Sequence, residues 1–539
     1  MKHTANIVDI PVRRIYLGSF EIIDKKIADL KEEGPEDPAR PYAMPGFVDA
    51  HIHIESTLMT PSQFAPMASA HGVTSVVTDP HEIANVLGVE GVEYMLRDAS
   101  RVNFNFHFGA SPCVPSTTFE HSGATLDSKA VEALLRRPDI YGLAEMMNVP
   151  GLVFGDPEVK AKIEAAKALG KPVDGHMAGS GREWIDICAG AGITTDHEII
   201  DLGDAHYKLS KGIKVLIREG SAACNFDALC PLLAEDKIAD KLMFCTDDKY
   251  ANELREGYID DLVRESIRRG RPLWNVLRAA CINPVEHYGL ADGLLREGDK
   301  ADFIVVDNLR DFRVLDARVG GEKVEAASPD RENVPNNFKA LPLKAEDIAL
   351  KAESGRIRVI GAQDGQLWTD SLELEARVED GFAVSDPARD IQKIIVYDRY
   401  NPGAKPAIGF VKGFSIKEGA IACSIGHDSH NIVALGSSDE EIVKVVNAII
   451  KVRGGMAASS PDGTKTLPLP VAGLMSPEPG DEVADAYAAL LEAVRATGCT
   501  MKAPLMTMAF LPLPVIPRLK ITDISLFDAE KFEFCNVFV

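Results

Sequence analysis

From about residue 46 to about residue 290, short runs of β-branched and apolar residues alternate with longer stretches whose apolar positions recur every three to four residues. That rhythm reads as repeated strand–helix units around a parallel sheet. Eight runs fit the strand pattern, at 47–53, 73–79, 104–110, 141–146, 172–176, 193–197, 214–219 and 242–247, and segments such as 156–169 and 260–280 read as intervening helices. Eight strands in a span of this length predict an α/β fold with one TIM (β/α)8 barrel. Residues 16–30 resemble a pair of short strands, and 298–307 and 312–323 resemble more. The ends of a barrel lie close together, so these flanks are expected to pair as a small flanking β-sandwich. Residues 327–344 are polar and proline-bearing, a linker signature. Beyond them, strands at 356–360, 391–398 and 408–414 and helices at 438–451 and 481–495 predict an additional α+β C-terminal domain. The expected division is 1–43 and 291–335 for the two parts of the β-sandwich, 44–290 for the barrel and 336–539 for the last domain.

Composition narrows the function classes. At 539 residues the chain exceeds what a single core supports, and 46% hydrophobic with 26% charged residues is the balance of a soluble globular protein. The 58 basic residues against 81 acidic ones leave a net charge of −23, which argues against nucleic acid or an anionic membrane as partner. The nine cysteines are scattered without a CxxC pair, so buried reduced thiols are expected and neither a disulfide framework nor a thiolate metal site. The N-terminal stretch lacks an apolar core and no segment is long and uncharged enough to span a bilayer, so a cytoplasmic protein is expected.

The sharpest chemical signal is PGFVDAHIHIE at 45–55, where His51 and His53 stand two apart on a predicted strand. Alternation along a strand turns both imidazoles to one side. For HxH alone, two hydrogen-bonded core histidines are the plain alternative. Context favours ligands: Glu145, His176, His197 and Asp247 all fall at the C-terminal ends of later predicted strands, the barrel face that carries active sites. Six imidazoles and carboxylates converging there would be costly unpaired, and divalent metal resolves the cost. Four imidazoles with two carboxylates suit two Mn, Fe or Zn ions sharing a carboxylate and a water more than Ca or Mg. Two cations would bring hydroxide into existence near pH 7, and Asp247 could take its proton and pass it to the leaving group. His81 and Glu82 follow the second strand and Arg218 and Glu219 the seventh, so all four either face a substrate or form a salt-bridged surround. His427, Asp428 and His430 either cap the barrel mouth, hold an extra ion or simply form a hydrogen-bonded turn, the plainest reading.

These residues resemble the amidohydrolase superfamily and, more closely, its bacterial and archaeal adenine deaminases. The likeness runs over nearly the whole chain, through HIEST, DPHEIANVLG (79–88), SPCVPS (111–116), GLAEMMN (142–148), DHE (196–198), REGSAA (218–223) and CTDD (245–248). In the C-terminal part it continues through GHDSHN (426–431), PVAGLMS (470–476) and FLPLPVIPRLKITD (510–523). The resemblance implies His51, His53, Glu145, His176, His197 and Asp247 as ligands of two divalent transition ions, Mn2+ or Fe2+ with Zn2+ as a third choice. Because GLAEMMN has no lysine, it implies Glu145 as the bridge where many superfamily members use a carboxylated lysine. It further implies hydrolysis of adenine to hypoxanthine and ammonia in purine salvage, with Asp247, Glu82 and Glu219 catalytic and His81, Glu82, Glu198, Arg218, Glu219 and Asp248 toward the substrate. Glu82, Glu198 and Glu219 are the acids open for protonating the ring near N1. A homo-oligomer follows by analogy. Two loops depart from the family pattern, MAGSG after His176 and KYANEL after CTDD, and the segment before the barrel is short. A modified aminopurine therefore stays open as substrate. A dihydroorotase- or hydantoinase-like cyclic-amide hydrolase and a non-catalytic barrel scaffold are the remaining alternatives.

Overall fold

The segment VTSVVT, Val73–Thr78, is buried along its whole length, as befits a β-branched strand covered on both faces of a parallel sheet. It is the second of eight such strands in the computed structural model, which describes residues 2–539. These are β1 (Phe47–Ile52), β2 (Val73–Thr78), β3 (Asn105–Ala110), β4 (Ile140–Met146), β5 (Val173–Gly175), β6 (Thr195–Asp196), β7 (Lys214–Arg218) and β8 (Leu242–Cys245). The first five pair in sequence as one parallel sheet and the last three as another. Backbone hydrogen bonds close both seams. Asp247 N donates to His51 O at 2.9 Å and His53 N to Asp247 O at 3.1 Å, while Thr194 N reaches Val173 O at 2.9 Å. The eight predicted runs thus form a TIM-like barrel.

Helices between strands begin where short polar side chains satisfy their first N–H groups. Asp127 accepts from Ala130 N ahead of Ser128–Leu135, and Asp156 from Glu158 N ahead of Pro157–Ala168. The predicted helix 260–280 is not continuous. Ile259–Arg268 stops at Gly270, whose φ of +74° ends the helix, and Pro272 precedes the restart at Leu273–Leu277.

The two flanks share one six-stranded sheet that folds over itself: Phe20 and Phe303, on strands three places apart, meet edge to face at 5.1 Å, and Ile27 N donates to Asp299 O at 2.8 Å. Phe303–Val306, returning from beyond the barrel, lies antiparallel to Tyr42–Pro45 just before it. Lys2–Asp9 is an additional central strand of this sheet, its apolar run too short to stand out in the sequence. Residues 327–344 carry no helix or strand, in keeping with the linker reading. Beyond them an eight-stranded sheet includes the predicted strands as Arg356–Ala362, Ile391–Tyr397 and Ala407–Lys412. Helices Asp439–Val452 and Gly480–Ala496 pack with it, the first capped by Ser438. This part reaches back over the barrel: Asn431 Nδ2 donates to His121 O at 2.8 Å, and Asp523 meets His121 Nδ1 at 2.6 Å.

Candidate metal centre and active site

Closure of the barrel brings six sequence-distant side chains to one rim. Glu145 stands between two sets of imidazoles. Its Oε1 is 3.2 Å from His53 Nε2, and its Oε2 is 2.9 Å from His176 Nδ1 and 3.2 Å from His197 Nε2. Asp247 Oδ1 lies 3.2 Å from His53 Nε2 and 3.8 Å from His51 Nε2. Donor atoms of His51, His53 and Glu145, of Glu145, His176 and His197, and of His51, His197 and Asp247 each fall within 4.8 Å of one another. A register shift between Asp49 and Ile52 breaks simple alternation in β1, yet both histidines still reach the cluster.

The donor set fits cations better than it fits itself. His53 Nδ1 lies 3.0 Å from the carbonyl oxygen of Asp79, which can only accept, so Nδ1 carries the proton. That tautomer leaves an Nε2 lone pair facing two carboxylate oxygens. His176 Nδ1 and His197 Nε2 stand 3.2 Å apart, and His51 Nε2 is buried with no hydrogen-bond partner. Without a cation the cluster is held by extra protons on the imidazoles that face the carboxylates, as at His53 and His176, and a divalent ion would take their place.

Around the cluster, charge is sorted. Arg218 Nη1 donates to both Glu198 and Asp247, and its Nε donates to Ala223 O at 2.7 Å. Burial raises the carboxyl pKa of Glu198 and Asp247, but Arg218 together with the surrounding imidazoles outweighs it and holds both below the usual range, so both stay ionised. Asp248 goes the other way, to about 6, through burial and then the neighbouring Asp247. Ser56 Oγ lies between Glu82 Oε1, at 2.9 Å, and Asp248, and its one hydrogen can serve either carboxyl. Glu82 Oε2 is buried and unpartnered. Gly220 lets the loop after β7 press against the end of β8, since a Cβ there would sit 2.5 Å from the carbonyl oxygens of Thr246 and Asp248.

The chamber above the cluster is lined by His53, His81, Glu82, Glu145, His176, Glu198, Asp247 and Asp248 from the barrel. Two residues named from the sequence lie outside this lining. Glu219, just past the end of β7, is directed toward Lys249 and Cys224. Arg218 takes the salt-bridged alternative, pairing with Glu198 and Asp247. Residues 427–430 form a hydrogen-bonded turn, His430 N donating to Gly426 O at 2.6 Å, and the turn stands at the chamber. His427 and Asp428 line the chamber, with His427 Nδ1 3.6 Å from Glu82 and Asp428 3.8 Å from His81 Nε2, whereas His430 does not. Missed altogether were Leu367, Phe510 and Leu513, apolar chamber walls from the C-terminal part, and Asp79, which lies 3.3 Å from His81 Nδ1. The DPHE phrase could have flagged Asp79; nothing local marks the apolar walls. Met147 and His176 also border a wider outer groove of about 1150 Å3.

A barrel with histidines and acids gathered at the C-terminal ends of its strands defines a hydrolase of the amidohydrolase class, and residues 42–331 match the amidohydrolase family. Residues 366–533 match the adenine deaminase C-terminal domain. Adenine deaminase of Salinibacter ruber is 48% identical, over 99% of this chain and 98% of its own length. Those of a Sulfurovum species and Methanosarcina mazei are 47% and 45% identical, each covering at least 99% of both chains. The chain belongs to the adenine deaminase family of the amidohydrolases. Among the described residues no helix is long and apolar enough to cross a membrane.

Proposed function

We propose that the chain hydrolyses adenine to hypoxanthine and ammonia at the rim chamber, in a protein divided at about residues 43, 290 and 335 as the sequence pattern implies. The observation that carries the site assignment is Glu145, whose two oxygens face different histidines, Oε1 toward His53 and Oε2 toward His176 and His197. His51, His53, His176, His197 and Asp247 with Glu145 would hold two divalent ions, Mn2+ or Fe2+ with Zn2+ as the third choice. Bound there, such ions supply Lewis acidity that ionises water near neutral pH.

The chain's own residues account for the proton movements. Asp247, kept ionised by Arg218, accepts the proton from the attacking water and delivers it to the departing amino group. A second acid must protonate the ring nitrogen beside C6 as that carbon becomes tetrahedral. Glu198 is committed to Arg218 and held ionised, and Glu219 lies outside the chamber. Glu82 remains, with one oxygen 2.9 Å from Ser56 Oγ and the other free; it is assigned this proton and regains one from the C6 hydroxyl as the adduct collapses to the carbonyl. Asp248 and His81 bound the substrate. Leu367, Phe510 and Leu513 form the apolar surface that a flat base requires.

The test is ammonia release from adenine by Mn2+-loaded protein, run beside N6-substituted and 2-aminopurines, hydantoin and dihydroorotate. Turnover of adenine with about two metal equivalents supports the reading. Ring opening of a cyclic amide without ammonia from any aminopurine overturns it.

A further inference from the structure

Lys520 sits in the short strand Leu519–Ile521 and is fully buried. Its ammonium donates to the carbonyl oxygens of Leu367 at 2.7 Å and Phe510 at 3.1 Å. No acid compensates it among the described residues, and burial alone draws its pKa down to about 7.

A buried lysine without a counter-ion carries a desolvation cost that methionine or leucine would avoid. What lysine supplies in return is a cluster of N–H donors at the end of a long stem, and its neutral form still has two, one for each carbonyl. The two residues it joins are chamber walls. Leu367 and Phe510 both line the space above the histidine cluster, and the Phe510 ring stacks on His427 with centroids 4.3 Å apart and planes 9° from parallel. Leu367, His427 and Phe510 come from three distant stretches of chain. Between these stretches His427 N donates to Ala509 O at 2.9 Å, and Gly365 N donates to Thr507 Oγ1 at 3.2 Å. Lys520 adds the bond that joins the carbonyls of Leu367 and Phe510 to one another.

We infer that Lys520 is a positioning residue, one that holds Leu367 and Phe510 as a single wall beside His427 against the plane of the bound base. The inference rests on the reading that the chamber binds adenine. A wall of this kind touches substrate equally in ground and transition states, so its loosening belongs in KM and not in kcat.

Steady-state kinetics with adenine and metal analysis of Lys520→Met and Lys520→Gln test it. Lys520→Met is expected to raise KM roughly 10-fold or more, since small misplacement at a binding surface is costly, with metal content unchanged. Its kcat should stay within about 3-fold of the parent. Lys520→Gln, which keeps an amide donor, should fall between. Unchanged KM in either folded variant, or a fall in kcat at constant KM, overturns the inference. So does failure of both variants to fold, which would make Lys520 a folding residue. A parent protein that releases no ammonia from any aminopurine overturns the functional reading instead, before any variant is compared.

Discussion

The barrel buries two sets of carboxylates that solve the same problem differently. Two residues before His51 and His176 lie Asp49 and Asp174. Asp49 accepts from Thr246 Oγ1, from Tyr258 OH at 2.7 Å and from the backbone N–H groups of His51 and Thr246. Asp174 accepts from Thr195 Oγ1 at 2.6 Å, from Tyr288 OH at 3.2 Å and from Tyr141 OH. Each is surrounded by donors, and each has its pKa pushed up to about 6, by burial above all. At the rim, Glu145 and Asp247 face imidazole nitrogens and one guanidinium, and His51 Nε2 faces acceptors without a bond. The lower acids are complete as folded. The rim acids are matched instead to imidazoles, whose nitrogens a metal ion could take over, and that contrast separates a structural buried acid from a functional one.

The contrast should appear most strongly in activity. Asp247→Asn and His51→Ala are expected to cut turnover by about 10^3-fold or more while the fold persists, and His51→Ala should also lower bound metal, read by elemental analysis. Glu82→Gln should cost roughly 10^2- to 10^4-fold in kcat at preserved metal content. Glu219→Gln, outside the chamber, should stay within about 3-fold, well short of a general acid–base loss. Equal losses at Glu82 and Glu219 would erase the distinction drawn from the chamber lining.

Stability should show the reverse order. Asp174→Ala leaves hydroxyl donors without an acceptor and is expected to cost about 1–3 kcal/mol in denaturant titration, with metal content per folded chain unchanged. Chelating the metal from the parent should lower its thermal midpoint, because whatever binds only the folded state stabilises it.

The smallest effect is in pH. For Asp49 and Asp174 the folded pKa, about 6, lies above the ordinary carboxyl value of 3.8. Their folded forms hold protons that the unfolded chain has released, so their contribution is fully present below about pH 3.8 and is lost as pH rises through about 6. Asp49→Asn should flatten the stability profile across that window. An unchanged slope would show that Asp49 titrates near its ordinary range.

Much of this was legible in residue order. β-branched runs marked the barrel strands because a doubly covered parallel strand tolerates little else, and the HxH pair and the strand-end acids announced the cluster. The helix at 260–280 was misread because periodicity continues across Gly270 and Pro272, where the backbone cannot. Glu219 adjoins Arg218 in sequence, but just past the strand end its carboxyl turns toward Lys249 and Cys224, and no local pattern marks that turn.

By itself, the order of residues determined which donor types stand at strand ends, since period-2 alternation and apolar runs are local properties. Only the closed tertiary structure decided which of them meet. Whether Glu82 or Glu219 faces the chamber, and whether Phe510, Leu367 and His427 share a wall, depends on contacts between segments hundreds of residues apart. Such contacts are set by ring closure and by burial of the whole barrel mouth, and no short stretch of chain encodes either.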